Sequence, residues 1–292
     1  MKPVSSHRKA VPPSTGTNPA LLGQQLLGAG KLNEKEITAI VAAQGRTKLR
    51  FGETAIALGL ATEADVQEVL ARQYEYPISR RDSSNFSSAL VAAEHPFGAR
   101  SEAFRTLRTQ LTLRWLGEGS RCLAITSSRA GEGASVLAAN LAIVFAQAGE
   151  RTLLIDANFR RPNQHALFGI ESGFGLSGLL TGRCSAADVL APTPLLGNLY
   201  VLCAGALPPN PQELLNRVGF SYLVETAPAE FDIVIIDTPP ILEFADAQLV
   251  AARTGACLLS VRRDITRVAD VQKVKSLFEP SPTQFVGAVM SG

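Results

Sequence analysis

A chain of 292 residues with 46% hydrophobic content is long enough for one α/β domain and a smaller companion. Its net charge of +2 argues against general nucleic-acid binding, and no apolar run approaches the roughly 18 residues of a membrane span. Cys122, Cys184, Cys203 and Cys257 lack metal-ligand spacing; three lie in apolar strand-like runs and read as reduced, buried small side chains, which suits a cytosolic compartment.

In chain order, residues 1–19 carry Lys2, Arg8, Lys9 and four prolines without the apolar core of a signal peptide, and read as a disordered arm. Residues 20–76 hold an internal repeat. Leu21-Leu22-Gly23, Leu26 and Gly30, then Ile37, Val41 and Gln44, recur 29 residues on as Arg50-Phe51-Gly52, Ala55 and Gly59 with Val66, Leu70 and Gln73. Each unit is two short helices around a glycine turn, with Asn33 and Thr62 as N-caps, and neither buries its apolar face alone. Read from its residues, this is a small all-α packing or docking module. The units also resemble the N-terminal domain of type II secretion and pilus ATPases that binds cyclic di-GMP, which implies ligand roles for Gly23, Gln44, Arg50, Gly52 and Gln73. Leu21 stands where that family places the first unit's arginine, which removes one bidentate donor.

The stretch from Pro77 to Ser88 is polar and Ser-rich, and residues 77–100 read as a linker. From Ser101 to Leu116 helical spacing returns, with Phe104, Leu107, Leu111 and Leu113 as packed positions and Glu102, Arg105 and Arg108 on one broad face. An apolar strand, Cys122 to Thr126, then leads into Ser128-Arg129-Ala130-Gly131-Glu132-Gly133-Ala134-Ser135 and a helix from Ser135 to Gln147. That is the strand, loop and helix of a phosphate-binding loop with alanine in the lysine position. Gly131 and Gly133 let backbone N–H groups face phosphate oxygens, and Ser135 is placed to ligate Mg²⁺. Two further apolar strands end in carboxylates, Asp156 and Asp237. Acids at the carboxyl ends of neighbouring parallel strands sit beside such a loop, where they hold Mg²⁺ and orient a nucleophile. Pro208-Pro209-Asn210-Pro211 reads as a rigid turn opening a helix over Gln212–Thr226. The fold expected is an α/β, P-loop NTPase-type parallel sheet with helices on both faces over 101–292.

This segment resembles the bacterial tyrosine kinase (BY-kinase) family, nearest the EpsG-type proteins of exopolysaccharide chain-length control. The likeness rests on residues 101–108, the loop, Leu154-Ile155-Asp156-Ala157-Asn158-Phe159-Arg160, the stretch from Gly205 to Leu215, and Ile236-Asp237-Thr238-Pro239-Pro240. It implies ATP or ADP and Mg²⁺ as cofactors, Asp156 and Asp237 as the catalytic acids, and Ser135 with both acids as metal ligands. Nucleotide contacts fall to Arg129, Gly131, Glu132, Gly133, Ala134, Ser135 and Arg160. It also implies a homo-oligomer joined through Glu102, Arg105 and Arg108, and a membrane chain-length-determinant (polysaccharide co-polymerase) partner that holds a cytoplasmic protein at the inner membrane. Ala134 and Asn158 depart from the family, which has lysine and a second acid there. The sequence also holds only four tyrosines, Tyr74, Tyr76, Tyr200 and Tyr222. These departures imply nucleotide binding with weakened or lost kinase activity. An active kinase that draws its missing charge from Arg129, and a non-catalytic adaptor governed by cyclic di-GMP, are the alternatives.

Overall fold

The computed structural model describes residues 19–47, 49–63, 65–66, 69–70, 86–116, 121–171, 173–190, 192–193 and 195–292. Contacts divide the chain into two units, Met1–Tyr76 and Pro77–Gly292. The reading of 1–19 as an arm lies outside the described residues except for Pro19, which begins a helix.

In the first unit, α1 (Pro19–Gly28), α2 (Glu34–Thr47) and α3 (Phe51–Ala57) are followed by helical backbone from Glu63. The repeat is visible in the termini. Gly30 and Gly59 both take φ of 67°, the left-handed conformation that ends a helix most easily at glycine. Asn33 exchanges hydrogen bonds with Glu36 at 2.8 and 3.0 Å, and Thr62 does the same with Asp65 at 3.0 and 3.1 Å, two reciprocal capping boxes. Leu26, Leu32, Ile40, Phe51, Ala55, Val66 and Val69 form one small core. The Lys31 ammonium, 2.8 Å from Asp65, and the Thr62 hydroxyl hold the Asp65 carboxyl down at about 2.

The second unit is built on six strands: β1 (Cys122–Ser127), β2 (Thr152–Asp156), β3 (Leu199–Leu202), β4 (Ile233–Asp237), β5 (Ala256–Arg262) and β6 (Gln284–Ser291). All pair in parallel, in the order β3-β2-β4-β1-β5-β6. The first five are buried almost throughout, which is why they read as unbroken apolar runs. Alternate residues feed opposite faces: Leu123, Ile125, Leu154 and Ile235 enter one core, Ala124, Leu153, Ile155 and Ile236 the other. Helix α6 (Ala134–Gln147), nearly all apolar and nearly all buried, fills the first face.

The expected linker over 77–100 does not hold from Phe86 on; residues 77–85 lie outside the described residues. Leu90, fully buried, enters the α6 core, and a short helix α4 (Val91–Glu94) packs beside it. The polar run ends at Ser88, and the apolar residues after it are held by buried polar groups of α6. Asn140 of α6 accepts the Ala92 N–H at 2.9 Å and donates to the Ala89 carbonyl at 2.9 Å, while Gln147 donates to the Ala92 carbonyl at 2.8 Å. The following helix, α5, runs Ala99–Arg114. Of its four expected packed positions Leu111 is buried and Phe104 and Leu107 pack partly, but Leu113 is exposed; Trp115 takes the buried place instead. The helix expected over Gln212–Thr226 is two, α10 (Pro211–Leu215) and α11 (Val218–Thr226), broken where Arg217 turns to extended backbone.

Candidate nucleotide site

The loop between β1 and α6 is shaped without help from a ligand. Gly131 and Gly133 sit at φ of 86° and 83°, where a Cβ would strain the backbone. Glu132 is buried, and its carboxylate turns back to accept the N–H groups of Ser128 and Arg129 at 2.8 and 3.0 Å and the Ser128 hydroxyl at 2.7 Å. From the β5 side, the Ser260 hydroxyl donates to the Glu132 carbonyl at 2.7 Å and Arg262 to the Gly131 carbonyl at 3.2 Å. The Ala130 N–H is taken by Glu243 at 2.9 Å. Among the described residues none of the N–H groups from Gly131 to Ser135 has an acceptor, and they converge at the N-terminus of a 14-residue helix. Aligned free N–H groups at the positive end of a helix dipole form a nest for phosphate oxygens.

Because β4 lies between β1 and β2, Asp156 and Asp237 are direct register partners at the strand ends, both fully buried. Asp156 accepts three backbone N–H groups, from Asn158 at 3.1 Å and from Asn163 and Gln164 at 3.0 Å, so it anchors the start of α7 (Gln164–Phe168). One oxygen of Asp237 accepts the Gln164 side-chain amide at 2.8 Å; the other, Oδ1, is buried with no partner, as is Gln164 Oε1. The same Gln164 amide reaches the Ser135 carbonyl at 3.1 Å and joins loop, β2 and β4. Burial, then the neighbouring Asp156 charge, pushes the Asp237 carboxyl well above the usual range, against the pull of Gln164 and Ser135. Burial raises Asp156 too, opposed by its three N–H donors, so the two carboxyls titrate as a pair above the usual range. Two buried acids and a hydroxyl, all oxygen and with one carboxylate atom unused, fit a small hard cation such as Mg²⁺.

A family model described as an AAA domain matches residues 120–256. Tyrosine-protein kinase YwqD of Bacillus subtilis is 35% identical over 215 residues, 74% of this chain and 90% of that protein. A putative tyrosine-protein kinase in the cps region of Klebsiella pneumoniae is 32% identical over 231 residues, 79% of this chain and 31% of that protein. The kinase domain of Escherichia coli tyrosine kinase ETK superposes with a TM-score of 0.69 at 32% identity, covering 73% of this chain and 82% of that one. The chain belongs to the bacterial tyrosine-kinase family.

Position 134, read from the sequence as the loop's lysine position, holds a buried alanine. Arg129 is held by Asp270 of α13 (Val268–Phe278) through bonds of 2.9 and 3.3 Å, with its side chain half-exposed. Arg160 stacks 4.7 Å from the Phe244 ring and reaches the buried Asp246 at 3.4 Å. Asn158 accepts the Arg161 N–H at 3.0 Å. The residues expected to join subunits also make bonds within the chain: Glu102 pairs with Arg105 at 2.7 Å, Arg105 donates to the Pro96 carbonyl, and Arg108 donates to the Val144 carbonyl at 2.6 Å.

In the first unit the expected ligand residues have structural uses. A Cβ on Gly23 would lie 3.1 Å from the Phe51 ring and one on Gly52 2.8 Å from Val66, so both glycines make room for the repeat's own core. Gln44 donates to the Leu49 carbonyl at 3.2 Å, and the Arg50 N–H donates to Glu53 at 2.8 Å. Gln73 lies outside the described residues. Sequence reading missed Gln164, Glu243, Ser260 and Arg262, whose roles depend on strand order.

Proposed function

We propose that this chain binds ADP or ATP with Mg²⁺ at the β1–α6 loop and transfers phosphate slowly or not at all, in the service of exopolysaccharide assembly. The single observation behind the reading is a complete N–H nest beside a buried acid with an unused oxygen, in a loop lacking its lysine. Ser135, Asp156 and Asp237 would hold the cation, which when bound offsets phosphate charge. The Gly131–Ser135 amides bind and orient the phosphates, and Gln164 fixes Asp237. Ala134 offers no donor to the transferring group, and loss of one preorganised donor costs about 10²–10³ in rate. Calorimetry on the purified chain tests it. Weak but measurable heat with Mg²⁺–ADP is expected; no heat at millimolar nucleotide overturns the binding, and turnover as fast as a lysine-bearing relative overturns the slowing.

The same reading places the protein in the cytoplasm, attached to the inner membrane through a chain-length-determinant partner and self-associated through the α5 face. It is supported by the family likeness and by the absence, among described residues, of any helix long and apolar enough to cross a membrane. A second reading, cyclic di-GMP binding by the first unit, rests on Arg50, exposed at the start of α3. Titration of the full chain with the dinucleotide decides it: Arg50→Ala abolishes a genuine signal, and no signal at tens of micromolar removes the reading, a range in which one lost charge-assisted contact is about tenfold.

A further inference from the structure

The stretch from Ala206 to Leu214, which contains the Pro208–Pro211 turn read from the sequence, forms one wall of a cavity of about 440 Å³ beyond the carboxyl end of β3. The facing wall is the loop leading into α8 (Leu176–Leu180). The two walls are stitched together: the Leu176 and Ser177 N–H groups donate to the carbonyls of Cys203 and Ala204 at 2.8 and 2.9 Å. The approach is so close that a Cβ on Gly175 would stand 2.3 Å from the Cys203 carbonyl oxygen, and Gly205 turns through φ of 77°. The cavity is therefore fixed by backbone contacts, within the volume range of ligand sites.

Its lining is unusual for a surface that nothing covers. Phe174 is 63% and Leu207 62% exposed, beside Pro208 and Pro209. Arg183 and Arg217 stand at the same cavity, exposed, and neither guanidinium has a carboxylate or hydrogen-bond partner among the described residues. An aromatic and proline floor favours a flat ring, and unpaired guanidinium groups favour carboxylates and stack on rings. The cavity lies at the same carboxyl-terminal end of the sheet as the nucleotide site. Leu202 pairs with Ile155, so the residues just beyond β3 lie one strand, about 4.8 Å, from Asp156. The Asp156 charge helps burial push the Cys203 thiol up to about 11.

We propose that this cavity receives the acceptor peptide, a tyrosine side chain on the Phe174–Leu207–proline floor with acidic flanking residues on Arg183 and Arg217. The assignment rests on the tyrosine-kinase reading of the neighbouring site and supplies its substrate class: tyrosine within an acidic sequence.

The test uses the full chain without nucleotide and three probes: a glutamate–tyrosine copolymer, a glutamate–alanine copolymer and inorganic phosphate. The glutamate–tyrosine copolymer is expected to bind at least about tenfold tighter than the alanine one, and Arg183→Ala with Arg217→Ala to weaken it by about tenfold or more. Phe174→Ala removes the preference for tyrosine. All three side chains are exposed, and thermal melts of the variants check that the fold is retained. Equal binding of both copolymers, binding unaffected by the arginine pair, or phosphate competing away the whole signal at low concentration overturns the proposal. Mg²⁺–ADP titrated into the same variants separates the two readings. Unchanged nucleotide heat with lost copolymer binding supports the cavity, whereas a wild type that binds copolymer but no nucleotide overturns the proposed function alone.

Discussion

Ala134 is the first residue of α6, directly after Gly133 of the nest, so Ala134→Lys adds a cation beside the phosphate-binding amides. A charge-assisted contact of about 1.5–3 kcal/mol predicts Mg²⁺–ADP affinity rising by about 10–100-fold, read by calorimetry. No rise would mean that the nest itself is misformed. Asp237 supplies a second prediction at this scale. Its folded carboxyl titrates above the ordinary 3.8, so between that value and the raised one the folded state holds a proton that the unfolded chain has released. Metal-free stability therefore falls as pH rises from about 4 into the neutral range, and Mg²⁺ restores it by favouring the ionised pair. Asp237→Asn is expected to raise the metal-free melting temperature at pH 8 by about 2–4 °C and to lose the Mg²⁺ response. A wild type with no pH slope and no Mg²⁺ shift sinks this account. Both acids were legible because each ends an apolar run. Gln164 was not, because its amide meets Asp237 only once β4 is known to lie beside β2.

Segments 86–94 and α5 show the same division between elements. Periodicity located α5, but it could not see that the short apolar stretch before it would be held by Asn140 and Gln147 from a buried helix. Leu90→Ala is expected to cost about 2–5 kcal/mol in urea unfolding, as for a fully buried leucine, whereas a true linker would show nothing. Arg108 does similar work at the other end of α6. The Ala148 N–H bonds to Phe145 rather than Val144, and the Arg108 guanidinium supplies the missing donor to the Val144 carbonyl. Arg108→Ala is expected to lower stability by about 1–3 kcal/mol in the same measurement, even in a monomer. Loss of assembly in that variant is therefore interpretable only beside its melting curve, and unchanged stability would free Arg108 for a subunit contact.

For the whole molecule, the parallel sheet and its two-sided helices followed from continuous apolar runs alternating with helical spacing. Strand order did not, because nothing local places β4 between β1 and β2. The ordering matters most for function: it brings a loop, two acids and the carboxyl end of β3 to one edge. Arg129 illustrates the limit from the other direction, since its partner Asp270 lies 141 residues away in sequence.

The Glu132 carboxylate, which binds the Ser128 and Arg129 amides before any phosphate arrives, divides the loop into two halves with different clocks. Amide hydrogens of Ser128 and Arg129 are held within the fold, so their exchange with solvent deuterium should already be slow in the free protein and little changed by nucleotide. Those of Gly131 to Ser135 have no acceptor among the described residues and should exchange quickly until an anion occupies them. Residue-resolved exchange would then report occupancy of the nest even where binding is too weak for heat to be measured, and uniform slowing of both halves would show the loop closing as one body on its ligand.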